Sequence, residues 1–221
     1  METKIISGRK VYIIGEGGPL FAMGYFKDHP ETAQEIYDRA KEAAPEKPFT
    51  LMVYETENWN ADFSPWEAPG VMGDEKFDGE GPATLAWLKN ALNELAEPDR
   101  DIYPVGYSLA GLFALWALYE DHSFKGCACN SGSLWFEGWQ DYIASHTLPE
   151  DCIIYLSLGG KEEKTKNPIV ATIGDATRGQ DKLFDRDKNV RKHKLIMNPG
   201  GHFSDEPGRV AKSIAWLLEN M

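Results

Sequence analysis

The sequence is poor in cysteine: Cys127, Cys129 and Cys152 are the only ones in 221 residues. An odd number without a Cys-x-x-Cys pair argues against a disulfide framework and points to reduced thiols and a cytoplasmic setting. No His-Glu-x-x-His run occurs, so neither a metal centre nor a cofactor is expected. Basic side chains are also scarce, with 23 Lys and Arg against 35 Asp and Glu and a formal charge of -12. That balance disfavours nucleic acid and anionic membrane surfaces as partners. Long apolar runs are missing too. Met1–Lys10 has no apolar core of the kind a signal peptide needs, and Leu112–Leu118 is too short to cross a bilayer. Internal repeats, low-complexity tracts and linkers are not found.

What is present suits one globular domain over residues 1–221, with 42% hydrophobic and 12% aromatic residues. Strand and helix patterns alternate along it. Val11–Ile14 reads as the first strand. A helix follows from about Glu31 to Ala44, its apolar stripe formed by Ala33, Ile36, Tyr37 and Ala40, and Pro45 ends it. Phe49–Tyr54 is a strand, and 55–80 is a long segment rich in Gly, Pro, Asp and Trp. Pro82 starts a helix carrying Leu85, Leu88, Leu92 and Leu95, with Pro98 just beyond it. Further strands are expected at Asp101–Val105, Lys125–Asn130, Cys152–Leu158 and Lys194–Met197. A helix over Leu109–Tyr119 follows the first of these. A closing helix starts near Ser204 or Asp205 and buries Val210, Ile214, Leu217 and Leu218. Cys127 and Cys129 alternate on a strand and read as small core residues. The whole implies an α/β fold with a mostly parallel sheet of about six strands and helices on both faces. Ligands in such sheets sit beyond the carboxyl ends of the strands.

Gly106-Tyr107-Ser108-Leu109-Ala110-Gly111 joins one of those strands to an apolar helix. A Gly-x-Ser-x-small turn in that position is a nucleophile elbow, in which small neighbours let strand and helix pass closely around a strained serine. A serine nucleophile needs a histidine base and an orienting carboxylate, in the chain order Ser, acid, His. Of five histidines, His202 sits on the loop Asn198-Pro-Gly-Gly-His-Phe after a strand, whereas His193 lies in a charged run and reads as a solvated surface residue. Glu162 follows the Cys152–Leu158 strand and Gly159-Gly160, and Glu163 is its rival because a one-residue shift of the loop exchanges them. The amide of Leu109 is one expected oxyanion donor. Glu16 or Gly17, in the glycine-rich turn after the first strand, is expected to supply the second. Trp59, Phe63, Trp66 and Trp135 are candidates to line the substrate cleft.

These residues together carry a resemblance. Gly-Tyr-Ser108-Leu-Ala-Gly-Leu-Phe, Ser131-Gly-Ser-Leu-Trp135-Phe, Gly159-Gly-Lys-Glu162 and Gly200-Gly-His202 resemble the esterase branch of the α/β-hydrolases. That branch includes the ferric-siderophore (enterobactin-type) esterases and the S-formylglutathione hydrolase/esterase D group. The likeness spans roughly residues 10–220. It implies an α/β-hydrolase fold, with Ser108 as nucleophile, His202 as base and Glu162 as acid, acting on a small-molecule ester through an acyl-enzyme. A thioesterase or lactonase would use the same residues, and a non-catalytic binding scaffold is a further alternative. Residues 60–65 resemble the loop that siderophore esterases place over the substrate. Those enzymes tend to put arginines before it, where Trp59 and Asn60 stand here. Val11–Ile14 is taken as the equivalent of the family's third strand, which makes this a minimal version of the fold. Such a reduced sheet leaves an edge that a second copy could cover in a homo-oligomer.

Overall fold

A computed structural model describes residues 1–71, 73, 75–95 and 99–221; Pro98, the expected helix stop, lies outside them. In chain order the first elements are β1 (Glu2–Ile6), β2 (Arg9–Gly15), β3 (Leu20–Phe26), α1 (Pro30–Ala43) and β4 (Thr50–Thr56). The long segment holds α2 (Trp59–Asp62) and a small ribbon of β5 (Glu67–Ala68) and β6 (Phe77–Asp78). Then come α3 (Gly81–Leu95), β7 (Ile102–Tyr107), α4 (Ser108–Glu120), β8 (Gly126–Asn130), α5 (Trp139–Ser145) and β9 (Cys152–Gly159). The last are α6 (Ile173–Phe184), β10 (Val190–Asn198) and α7 (Glu206–Asn220).

The main sheet has eight strands in the order β1-β2-β4-β3-β7-β8-β9-β10, more than the six or so expected from the sequence. From β4 to β10 all neighbours are parallel, while β1 and β2 form an antiparallel hairpin and β2 runs antiparallel to β4. The fold is therefore not a minimal version: the third strand is β3, and two strands precede it. Two of these strands lack the usual pattern. β1 alternates Glu2 and Lys4 with Thr3 and Ile5 and is largely exposed. β3 is buried over its first five residues, so it shows no alternation, and Gly24 interrupts it.

The core lies on both faces of the sheet. Successive residues of a strand point to opposite faces, so Leu20, Ala22, Met52 and Tyr54 join one cluster and Phe21, Met23, Leu51 and Val53 the other. α3 and α4 cover the first face, α1 and α7 the second. α4 is apolar all round and buried from Leu109 to Tyr119, as a helix sunk between sheet and outer layer must be. Val210, Ile214, Leu217 and Leu218 of α7 are all buried, and so are the three cysteines.

Candidate active site

β7 runs directly into α4 at Ser108, whose φ of +56° is one that side-chain-bearing residues rarely adopt. The turn holds because its neighbours are small. A Cβ on Gly106 would stand 1.9 Å from the carbonyl oxygen of Ala110, and one on Gly111 3.0 Å from that of Asn130. Ser108 opens α4, so the Leu109 amide lies in the first helical turn, where N–H groups have no intrahelical acceptor.

β9 and β10 deliver the other two groups at the same end of the sheet. The loop after β10 turns through Gly200 at φ +88° and presents His202. Ser108 Oγ is 3.0 Å from His202 Nε2, and His202 Nδ1 is 2.7 Å from Glu162 Oε2. These two contacts fix which ring nitrogen carries the proton. A carboxylate can only accept, so Nδ1 carries the proton, and Nε2 is left to accept from the serine. The Glu162 side chain is 4% exposed. Its Oε1 accepts from the Gly159 amide at 2.6 Å, Ser131 Oγ at 2.7 Å and Arg209 Nη1 at 3.1 Å. Burial pushes this carboxyl up, but hydrogen bonds from His202, Ser131 and Gly159 outweigh it and hold the group below its ordinary value. Glu163 turns the other way and pairs with Arg178 at 2.8 Å.

Arg209 had no signal in the sequence. In the first turn of an amphipathic helix an arginine ordinarily reads as solvated, yet its side chain is 1% exposed. Its Nη2 donates to the carbonyls of Pro199 and Gly201, at 3.1 and 2.9 Å, and its Nη1 to the Tyr107 hydroxyl at 2.9 Å. Tyr107 in turn donates to the His202 carbonyl at 2.6 Å. One guanidinium thus ties Glu162, the loop that carries His202 and the residue before Ser108. Its planar fork suits it to several fixed acceptors at once.

Other expectations are corrected. The glycine-rich turn lies at the wrong end of the sheet. Gly15 pairs with Thr50, Thr50 with Leu20, and Leu20 with Ile102, the first residue of β7. Ser108 stands six positions beyond Ile102, so Glu16 and Gly17 lie about 20 Å from it and cannot hold an oxyanion there. The turn is a structural one: Arg100 donates to the carbonyls of Gly17 and Gly18 at 2.6 and 2.7 Å. Phe63 is 0% exposed and packs on Phe113, and Trp66 donates to the Glu137 carbonyl at 2.9 Å and pins the long segment. Neither reaches the cleft. Trp59 and Trp135 do, beside Ser108. Phe26, Phe203, Val170 and Glu206, none of them chosen from the sequence, complete its walls. His193 is half-buried rather than solvated, held by Asp181 at 2.9 Å and Asp185 at 3.2 Å. Among the described residues no cluster of His, Cys, Asp and Glu is arranged to hold a metal, and no helix is long and apolar enough to span a membrane.

No family model and no curated protein matches the sequence. Solved structures do match in fold. The siderophore hydrolase EstA from Aspergillus nidulans superposes with a TM-score of 0.78 at 14% identity, over 99% of this chain and 94% of that one. An IroE-like serine hydrolase from Shewanella oneidensis gives 0.76 at 15% identity, over 96% and 76%. The enterobactin esterase from Shigella flexneri gives 0.67 at 15%, over 96% and 56%. The architecture is the α/β-hydrolase fold, shared with the branch that the sequence motifs resemble.

Proposed function

We propose that the protein is a serine hydrolase that cleaves carboxylic esters through an acyl-enzyme. The observation that carries this reading is the hydrogen-bonded series Ser108–His202–Glu162 at the mouth of an apolar cleft. His202 Nε2 takes the Ser108 proton as Oγ bonds to the ester carbon, and the carbonyl electrons move onto oxygen. Glu162 steadies the imidazolium through Nδ1. The carbon–oxygen bond to the alcohol then breaks, and Nε2 returns the proton to the departing oxygen. A water follows the reverse course: His202 takes its proton, the acyl group leaves as the acid, and Ser108 regains its hydrogen.

The Leu109 amide is one donor to the developing alkoxide. The second comes from the turn after β3. Met23 lies opposite Val105 in the parallel pair β3–β7, so three residues further Phe26 is level with Ser108. The segment Phe26-Lys27 is therefore the counterpart of the loop that completes this site in the fold. Loss of one such donor costs on the order of 10²–10³ in rate. The buried, unpaired thiols of Cys127, Cys129 and Cys152 support a reducing, cytoplasmic setting.

Labelling with a fluorophosphonate tests the reading. The native protein should be modified at Ser108 and hydrolyse short p-nitrophenyl esters, and Ser108→Ala and Ser108→Gly should do neither. Glycine suits the positive φ, so it separates loss of the hydroxyl from loss of the turn. Undiminished hydrolysis in both variants would sink the assignment.

A further inference from the structure

Ser108 stands where two cavities meet, with Trp59, Ser133 and Trp135 as shared walls. The smaller, about 190 Å³, runs past Leu109 between Val71 and Phe77; Glu75 on its wall is exposed to water and accepts from Asn60 at 3.1 Å. The larger, about 370 Å³, runs past His202 between Phe26, Val170 and Phe203 and has Glu206 on its wall. The chemistry distinguishes them. In the tetrahedral intermediate the alkoxide faces the Leu109 amide, and the departing oxygen must come within reach of His202 Nε2. The alcohol half therefore occupies the cavity that contains His202, and the acyl half the other. The cavity of the alcohol half is about twice the volume of the other.

Charge adds a second restriction. Among the described residues neither cavity is lined by a lysine or arginine. Glu206, the first residue of α7, has its carboxyl pushed up by burial, against the opposing effect of a hydrogen bond from Tyr25. No lysine or arginine pairs with it among the described residues. The faces of Phe26, Trp59 and Trp135 beside it favour a cation over an anion.

We propose that the two cavities sort the halves of the substrate: a compact, uncharged acyl group enters the smaller, and a larger apolar alcohol with a cationic group facing Glu206 enters the larger. The proposal rests on the ester-hydrolase reading above, and it names Glu206, Val71 and Val170 as specificity-determining residues.

Two substrate series test it on the purified protein. With p-nitrophenol as fixed alcohol, kcat/KM should fall at least tenfold between hexanoyl and dodecanoyl esters, and Val71→Trp should move that fall to shorter acyl chains. With acetyl as fixed acyl group, acetylcholine should be preferred over its neutral isostere 3,3-dimethylbutyl acetate by on the order of tenfold. Glu206→Gln should bring that ratio close to unity through KM, and Val170→Trp should penalise both of these esters relative to methyl acetate. Equal kcat/KM for the isosteric pair in the native protein overturns the charge assignment. A narrowed acyl profile in Val170→Trp, with Val71→Trp acting on the alcohol instead, overturns the sorting. Both outcomes require an active, fluorophosphonate-reactive protein. Absence of hydrolysis and labelling strikes the ester-hydrolase reading itself.

Discussion

Glu162 and Glu163 are adjacent, chemically identical and oppositely placed. The first is buried against His202 and Arg209, and the second reaches Arg178 at a half-exposed site. Glu162→Gln removes the acceptor that keeps the proton on Nδ1 and should lower kcat on the order of 10⁴-fold. Glu163→Gln should stay within a few-fold of the native value. Steady-state kinetics on one p-nitrophenyl ester decides between them. The same carboxyl also carries a pH signature. Its folded value lies below the ordinary one, so the stability it contributes is present in full above the unfolded value of about 4.3 and is lost as pH falls through the lower folded value. Urea midpoints of the native protein and Glu162→Gln should accordingly differ near neutrality and converge under acid conditions. At this scale the sequence pointed to Ser108 and His202, which the structure brings to 3.0 Å, because a local motif marks each. It left the two glutamates open, since a short 3-10 turn at Glu162–Lys164 decides which of them faces inward. Arg209 was hidden, because three of its partners, Glu162, Ser131 and Tyr107, lie 47 to 102 positions away.

The junction of β7 and α4 is the element on which the proposed chemistry depends. Gly106→Ala would put a methyl group into the Ala110 carbonyl. Neither backbone segment can yield without moving Ser108, so a loss of about 3 kcal/mol or more is expected. Equilibrium denaturation of this variant measures it; a change below the resolution of the experiment would contradict the close approach described. Strands such as β4, β8 and β9 were legible from dense apolar runs bounded by turn residues, and α7 from its stripe. β1 and β3 were not: the first alternates charges on an exposed edge, and the second has apolar residues toward both cores. Missing β3 had a consequence. Without β3, Val11–Ile14 reads as a parallel strand with its glycine turn at the carboxyl end of the sheet, whereas β2 runs antiparallel to β4. Strand direction is set by partners across the sheet, so no local pattern within β2 carries it.

Over the whole molecule the excess of acidic groups, a formal -12, produces a field that draws cations inward. If the larger cavity takes a cationic alcohol, kcat/KM for acetylcholine should fall as ionic strength rises from 0.01 to 1 M, over which the screening length shrinks from about 30 to about 3 Å. The neutral isostere should show little change. Stopped assays across a salt series check this directly. The completed sheet also removes the argument that a truncated edge calls for a second copy. Both rims are charged, with Glu2 and Lys4 on β1 and Arg191, Lys192 and Lys194 on β10, an arrangement that discourages edge-to-edge joining.

The guanidinium of Arg209 has a meaning for biosynthesis. A chain leaves the ribosome amino end first, so the strained serine turn at 108 emerges about a hundred residues ahead of the clamp that holds Glu162 and the loop of His202. Until residues beyond 209 are free to dock, the nascent polypeptide carries an unarmed hydroxyl. On the function proposed above, fragments ending short of residue 209 should therefore resist fluorophosphonate labelling.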